Sequence, residues 1–143
     1  PNLTGLYGLS LALDKLLEEG LENVYERHQR IGHFTREGMK SLGLELLAWD
    51  EAYASDTVTA VKIPESVDGG KLIGMLREEE NVVLAGGQGK LSDSIFRIGH
   101  LGFVCDRDVL TAAAAIESVL QSLGLHKGSM GAGLSAASEV LGR

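Results

Sequence analysis

Cysteine is nearly absent: Cys105 is the only one. No disulfide can close within the chain, and a reducing, cytoplasmic setting is the expectation. Long apolar runs are missing as well. None reaches the ~20 residues that a helix needs to cross a bilayer, so no membrane partner is expected. No charged segment followed by an apolar stretch marks a secretory signal. The last three residues, Leu141-Gly142-Arg143, are not a peroxisomal address. An excess of basic charge is also lacking. The formal net charge is −7, and no segment concentrates Lys and Arg. Binding to phosphate backbones needs a basic face, so nucleic acid is not expected as a partner.

What is present is ordinary for a folded domain. Hydrophobic residues make up 44% and charged residues 23% of 143 positions, enough for one domain with a core. No internal repeat or low-complexity block interrupts it. The chain starts at Pro1 without Met and runs at once into apolar sequence, the start expected of a piece of a longer polypeptide.

Periodicity predicts a helix over Leu3–Glu19 whose apolar positions cover most of its circumference. Such a helix needs partners on several sides. Gly20 should cap it. A second helix should run from Leu21 to Leu42, with Leu21, Val24, Tyr25, His28, Ile31, Thr35, Met39 and Leu42 on one stripe. Its solvent side should carry Glu22, Glu26, Arg27, Arg30, Arg36 and Lys40. Leu44–Ala48 reads as a short strand and Thr57–Ile63 as a clear one, stopped by Pro64. Asp68 can cap a helix running to about Glu79. Strands are then expected at Val82–Ala85 and Ser94–Ile98, and a last helix capped by Asp106. After Gly124 the composition turns to Gly, Ser and Ala, with at most one weak helix over Ser135–Leu141. The expected class is α+β, in the order α-α-β-β-α-β-β-α. Short connections between strands favour a small, mostly antiparallel or mixed sheet with helices packed on one face.

The most informative run is Ser94-Ile95-Phe96-Arg97-Ile98-Gly99-His100-Leu101-Gly102. Alternation puts Ile95, Arg97 and Gly99 on one face and Phe96 and Ile98 on the other. An arginine fixed on a strand makes a rigid clamp for a carboxylate, because guanidinium binds it through two parallel hydrogen bonds. The pattern taken alone favours the plainer reading, an arginine paired with a structural Glu or Asp, and leaves both readings open. Gly86-Gly87-Gln88-Gly89 is followed by a polar turn and a strand rather than a helix. It therefore reads as a hairpin connection and not a phosphate loop. His28, His33, His100 and His126 show no metal-ligand spacing, and no metal is expected. His100 could line a pocket beside Arg97 or simply end the strand. Cys105 has no base near it in sequence. Lys15, Lys40, Lys62, Lys71, Lys90 and Lys127 all read as solvated, and no residue reads as catalytic.

Five stretches, taken together and in order, carry a resemblance. They are Leu6-Tyr7-Gly8-Leu9 with Glu18 to Asn23 and Arg27-His28; Leu42 to Leu46; Thr57 to Val61 with Ile63-Pro64; Gly86 to Gly89; and Phe96 to Gly102. The chain resembles the C-terminal part of class V, fold-type-I pyridoxal-phosphate aminotransferases, in the serine/alanine–glyoxylate group. The resemblance implies that Arg97 binds the substrate α-carboxylate and that Gly86, Gly87 and Gly89 are structural. It implies a helix over residues 1–20 linking to a large cofactor domain, a small domain over 21–124, and a tail over 125–143. That large domain, upstream of Pro1, would hold the Schiff-base lysine, the acid facing the pyridine nitrogen and the phosphate loop. Pyridoxal 5′-phosphate is thus expected in an intact homodimeric enzyme, and none on this chain. The implied reaction moves an amino group from serine or alanine to glyoxylate. Rival readings are a stand-alone amino-acid-binding or regulatory module, and a purely structural interaction domain. Cyanobacterial relatives of this family have carried the label of a soluble hydrogenase subunit. Metal centres of that kind need several thiolates, and this chain has one.

Overall fold

The computed structural model describes residues 1–125 together with Gly131 and Ser135. Its elements are α1 (Leu3–Glu19), α2 (Leu21–Ser41), a 3-10 turn at Glu51–Tyr53, β1 (Val58–Lys62) and α3 (Gly69–Glu78), then β2 (Ala85–Gly86), a second 3-10 turn at Gly89–Leu91, β3 (Ile95–Gly99) and α4 (Asp106–Ser122). The fold is α+β, as expected. None of the helices described is long and apolar enough to cross a membrane. Apart from Ser135, the weak helix expected over Ser135–Leu141 lies outside the described residues, as does most of the 125–143 tail.

The three strands form one antiparallel sheet in the order β1-β3-β2. β3 is therefore central. Val61 on β1 and Phe96 and Ile98 on β3 face inward. They pack with Met39 of α2, Leu72 and Leu76 of α3, and Ala113, Ile116, Val119 and Leu120 of α4. All three helices cover this one face, and burying these side chains is the main stabilising term. A smaller cluster joins Ile31 and Phe34 of α2 to Val109 of α4.

Two expected strands come out shorter. Leu44–Ala48 contributes only a bridge between Leu46 and Val61, flanked by Leu47 N–H to Ala60 O at 2.9 Å and Lys62 N–H to Glu45 O at 2.8 Å. Beyond it Asp50 turns the chain away by accepting from Ala52 N–H. Val82 and Leu84 pack against the core with Val83 exposed, but this alternating segment lacks a ladder partner until Ala85. The α4 cap also differs. It is Cys105, not Asp106, because the Asp108 carboxylate reaches back to accept from Cys105 N–H. That bond holds the Asp108 carboxyl below its ordinary range. Asp68 caps α3 as expected, accepting from Lys71 N–H at 2.7 Å.

Helix α1 buries none of its residues. Leu3, Leu6, Tyr7, Leu9, Leu11, Leu13 and Leu17 are all exposed. Gly20 breaks α1 from α2 with φ of 84°, a conformation costly for any residue with a Cβ. Along α2 the anticipated stripe holds in its middle. Leu21 and Tyr25 are exposed, however, and Phe34 and Arg36 are buried.

Candidate functional site

Arg97 sits on the central strand, on the face opposite the helices. Its cross-strand partners are Ala60 on β1 and Ala85 on β2. Directly opposed residues share a face, so two short side chains flank the half-buried guanidinium and leave it accessible from above. Its Nε donates to the Gly86 carbonyl at 2.9 Å. Among the described residues no carboxylate forms an ion pair with it. Of the two readings open in the sequence, pairing with a structural acid finds no partner there. Arg97 is thus a half-buried cation held through one nitrogen, Nε, to the Gly86 carbonyl.

The glycine-rich segment joins β2 to β3 as a hairpin connection, as anticipated. Its 3-10 turn over Gly89–Leu91 is only three residues long, too short to offer the aligned N–H groups of a helix N-terminus. Ile95, next on the Arg97 face, is buried beneath this connection; its Cγ1 lies 3.0 Å from where a Cβ on Gly87 would stand.

His100 does not line a pocket beside Arg97. The strand alternation carries it to the inner face, where it is fully buried and bonded through Nε2 to Thr59 Oγ1 at 2.9 Å. Gly32 of α2 allows this approach, since a Cβ there would stand 3.3 Å from His100 Cε1. Burial pushes the imidazole below its ordinary value, opposed by the Asp56 backbone. His100 is a packing residue that ties β1 to the end of β3.

Other polar pairings could not be read from the sequence because the partners are far apart along the chain. Arg36, placed there on the solvent side, is buried. It donates through Nε to Glu51 Oε1 at 2.8 Å and through Nη1 to Ser55 O at 3.2 Å. His33 Nδ1 lies 3.0 Å from the same Glu51 oxygen. The His33 and Arg36 bonds together hold the Glu51 carboxyl down to about 2. His33, Glu37 and Glu51 bring ligand atoms within 4.8 Å of one another. Both carboxylates are already neutralised, however, Glu37 by Lys40 at 2.7 Å and Glu51 by Arg36. At the other end of α2, Arg27 grips Glu19 through Nε at 2.6 Å and Nη2 at 2.9 Å. Its Nη1 reaches Gly102 O at 2.9 Å, and His28 Nε2 takes Gly102 N–H at 3.2 Å. The loop after β3 is thus latched to α2.

No model of a known protein family matches the chain. It is 45% identical over 141 residues to a protein of Synechococcus named soluble hydrogenase, small subunit, covering 99% of this chain and 36% of that protein. It is 40% identical to a serine–glyoxylate aminotransferase of Arabidopsis thaliana, covering 99% of this chain and 35% of that one. Among solved structures it superposes on pyridoxamine–pyruvate aminotransferase from Mesorhizobium loti with a TM-score of 0.93 and 33% identity, covering 99% of this chain and 36% of that one. The chain therefore spans about a third of the length of the curated relatives it matches.

Proposed function

We propose, for a chain that belongs with the small domains of class V aminotransferases, that it is the substrate-anchoring part of an amino-group transferase. Arg97 receives the α-carboxylate of the amino donor, serine or alanine, and of the acceptor glyoxylate. The observation that carries this reading is the Arg97 guanidinium itself. It is half-buried on the central strand, fixed through Nε to Gly86 O, flanked by alanines, and without an ion-pair partner among the described residues. A partly desolvated cation needs an anion, and a guanidinium whose Nε is taken still has two terminal nitrogens that match a carboxylate fork.

Transamination exchanges an amino acid for a 2-oxo acid. Both carry the same carboxylate next to the reacting carbon. One clamp therefore serves both substrates and delivers that carbon to the same place each time, which is a contribution of position and orientation.

Pyridoxal phosphate supplies the carbonyl and electron sink of such chemistry when bound, and a protein holds it with a lysine, an acid and a phosphate cradle. The residues described do not fit that task. Lys15, Lys40, Lys71 and Lys90 are exposed, and Lys62 is paired with Glu45. The glycine connection opens no full helix. We assign the cofactor to a large domain outside this chain, with the unburied apolar face of α1 as the surface that meets it, in a homodimeric enzyme. The hydrogenase name belongs to the Synechococcus relative; a thiolate-held cluster could not draw its ligands from Cys105 alone.

The test is substrate affinity in the full-length enzyme carrying this chain. Arg97→Gln should raise KM for both serine and glyoxylate by about tenfold or more, the worth of a charge-assisted hydrogen bond. Unchanged affinity would sink the reading. Calorimetry on the 143-residue chain alone provides the second arm, and tight binding of serine there would favour a stand-alone module.

A further inference from the structure

We infer that Gly87 is a positioning residue for Arg97, acting through the peptide unit it shares with Gly86. The inference rests on the reading of Arg97 as the carboxylate clamp.

Gly86 C=O and Gly87 N–H belong to one planar trans peptide, so they point in opposite directions and turn together. The N–H donates to Ile95 O on β3 at 3.0 Å. The carbonyl is thereby turned away from that backbone bond, and Arg97 Nε takes it at 2.9 Å. One peptide plane is gripped on one edge by the β3 backbone and on the other by the arginine. A Cβ on Gly87 would stand 1.8 Å from Leu91 O and 2.4 Å from Leu91 C. Both are backbone atoms, and ordinary contacts between carbons need about 3.5 Å or more. Any side chain at 87 must therefore force the connection over residues 87–94 open and turn the shared peptide.

The three glycines grouped as structural in the sequence thus separate by task. Gly89 has φ of 55° with open space where a Cβ would stand, so its need is conformational. At Gly86 a Cβ would make ordinary contacts, 3.4 Å to Ile73 Cδ1. Only Gly87 is held by contact with backbone. The consequence for Arg97 is directional. With Nε committed to Gly86, the edge left for a carboxylate is the one formed by Nη1 and Nη2. Loss of the Gly86 bond frees rotation about the last side-chain torsion and lets the fork wander, which weakens substrate binding without removing the charge.

Two measurements test this on the 143-residue chain. In wild type, ¹³C,¹⁵N-labelled protein should show a through-hydrogen-bond coupling between Arg97 Nε and Gly86 C′. The Arg97 Nε–H should also exchange with solvent about tenfold slower than that of exposed Arg77. In Gly87→Ala the coupling should vanish and the exchange rate rise to that of Arg77. Gly74→Ala, where a Cβ meets nothing within 4 Å, should change neither. In the full-length enzyme Gly87→Ala should raise KM for the amino donor several-fold with a smaller change in kcat.

Wild-type Arg97 exchanging as fast as Arg77 with no coupling would overturn the inference, even if Gly87→Ala does not fold. So would a Gly87→Ala protein that keeps the coupling, or one that loses it while KM stays put and Arg97→Gln still raises KM. If Arg97→Gln leaves KM unchanged, the clamp reading fails instead, and the coupling result then reports only a structural bond.

Discussion

The backbone N–H of Gly102 donates to Nε2 of His28 across 3.2 Å. His28 Nδ1 lies 2.7 Å from Val24 O, an acceptor. That nitrogen must carry the proton, so Nε2 is the bare one and can accept. One imidazole thus links the first turns of α2 to the loop that follows β3.

His28→Ala should cost about 1–3 kcal/mol, because it leaves the Gly102 N–H without its partner and opens a small void. Urea denaturation of the two chains measures it. The loss should be accompanied by faster amide exchange at Gly102, with the exchange of Phe96 and Ile98 unaltered relative to the global stability.

Acid should find a weak point at the other end of α2. The Glu51 carboxyl is held at about 2, below its ordinary value of 4.5, first by His33 and then by Arg36. A carboxyl depressed in the folded state stabilises it above its ordinary value, and that contribution fades as pH falls from 4.5 toward about 2. Urea midpoints measured from about pH 6 down to about pH 2 should fall across that window. Glu51→Gln should be less stable at neutral pH and show a flatter profile. An identical slope in the variant would place the acid sensitivity elsewhere.

How much of this was legible in the sequence depended on how local the deciding interaction was. Helix ends could be read because Gly20 and Asp68 act on their immediate neighbours. The apolar wrap of α1 could be read too, and its seven exposed large side chains follow directly. Strand lengths could not, because a strand exists only where a neighbouring strand supplies hydrogen bonds, and among the described residues Val82–Leu84 has no such neighbour; its Val82 N–H goes to Leu76 O of α3 instead. The burial of Arg36 is decided by Glu51, fifteen residues away, on a short turn with no periodic signal. Arg97 was visible because a charge inside an apolar strand breaks the pattern. The bond that aims it was invisible, since it depends on a peptide carbonyl eleven positions earlier.

The exposed face of α1 should make the isolated chain sticky. Leu6, Leu9, Leu13 and Leu17 are all about half exposed or more, and contiguous apolar patches of a few hundred Å² or more mark association surfaces. The chain should bind an apolar dye such as ANS and self-associate with rising concentration in sedimentation. Replacing Leu9 and Leu13 by Glu should abolish both while leaving the denaturation midpoint within about 0.5 kcal/mol of wild type, because neither side chain touches the core. A large loss of stability would mean that α1 is packed more tightly than its exposure indicates.

Arg97→Lys separates charge from geometry at the candidate site. Lysine keeps a cation on the outer face of β3 but loses the planar fork, and it has no Nε–H to donate to Gly86. The two alanines beside it, Ala60 and Ala85, offer nothing to hold a flexible ammonium in place. If bidentate geometry matters, affinity for serine and glyoxylate in the full-length enzyme should fall by about 10- to 100-fold, or roughly 1.5–3 kcal/mol. If charge alone draws the substrate in, the loss should stay near twofold and grow with salt, because a solvated point charge is screened. Stability should change by less than about 1 kcal/mol either way, since the side chain is half-buried and faces away from the core. A large affinity loss with unchanged stability and weak salt dependence is the expected result, and it would make the orientation of the guanidinium, rather than its charge, the property this strand was built to hold.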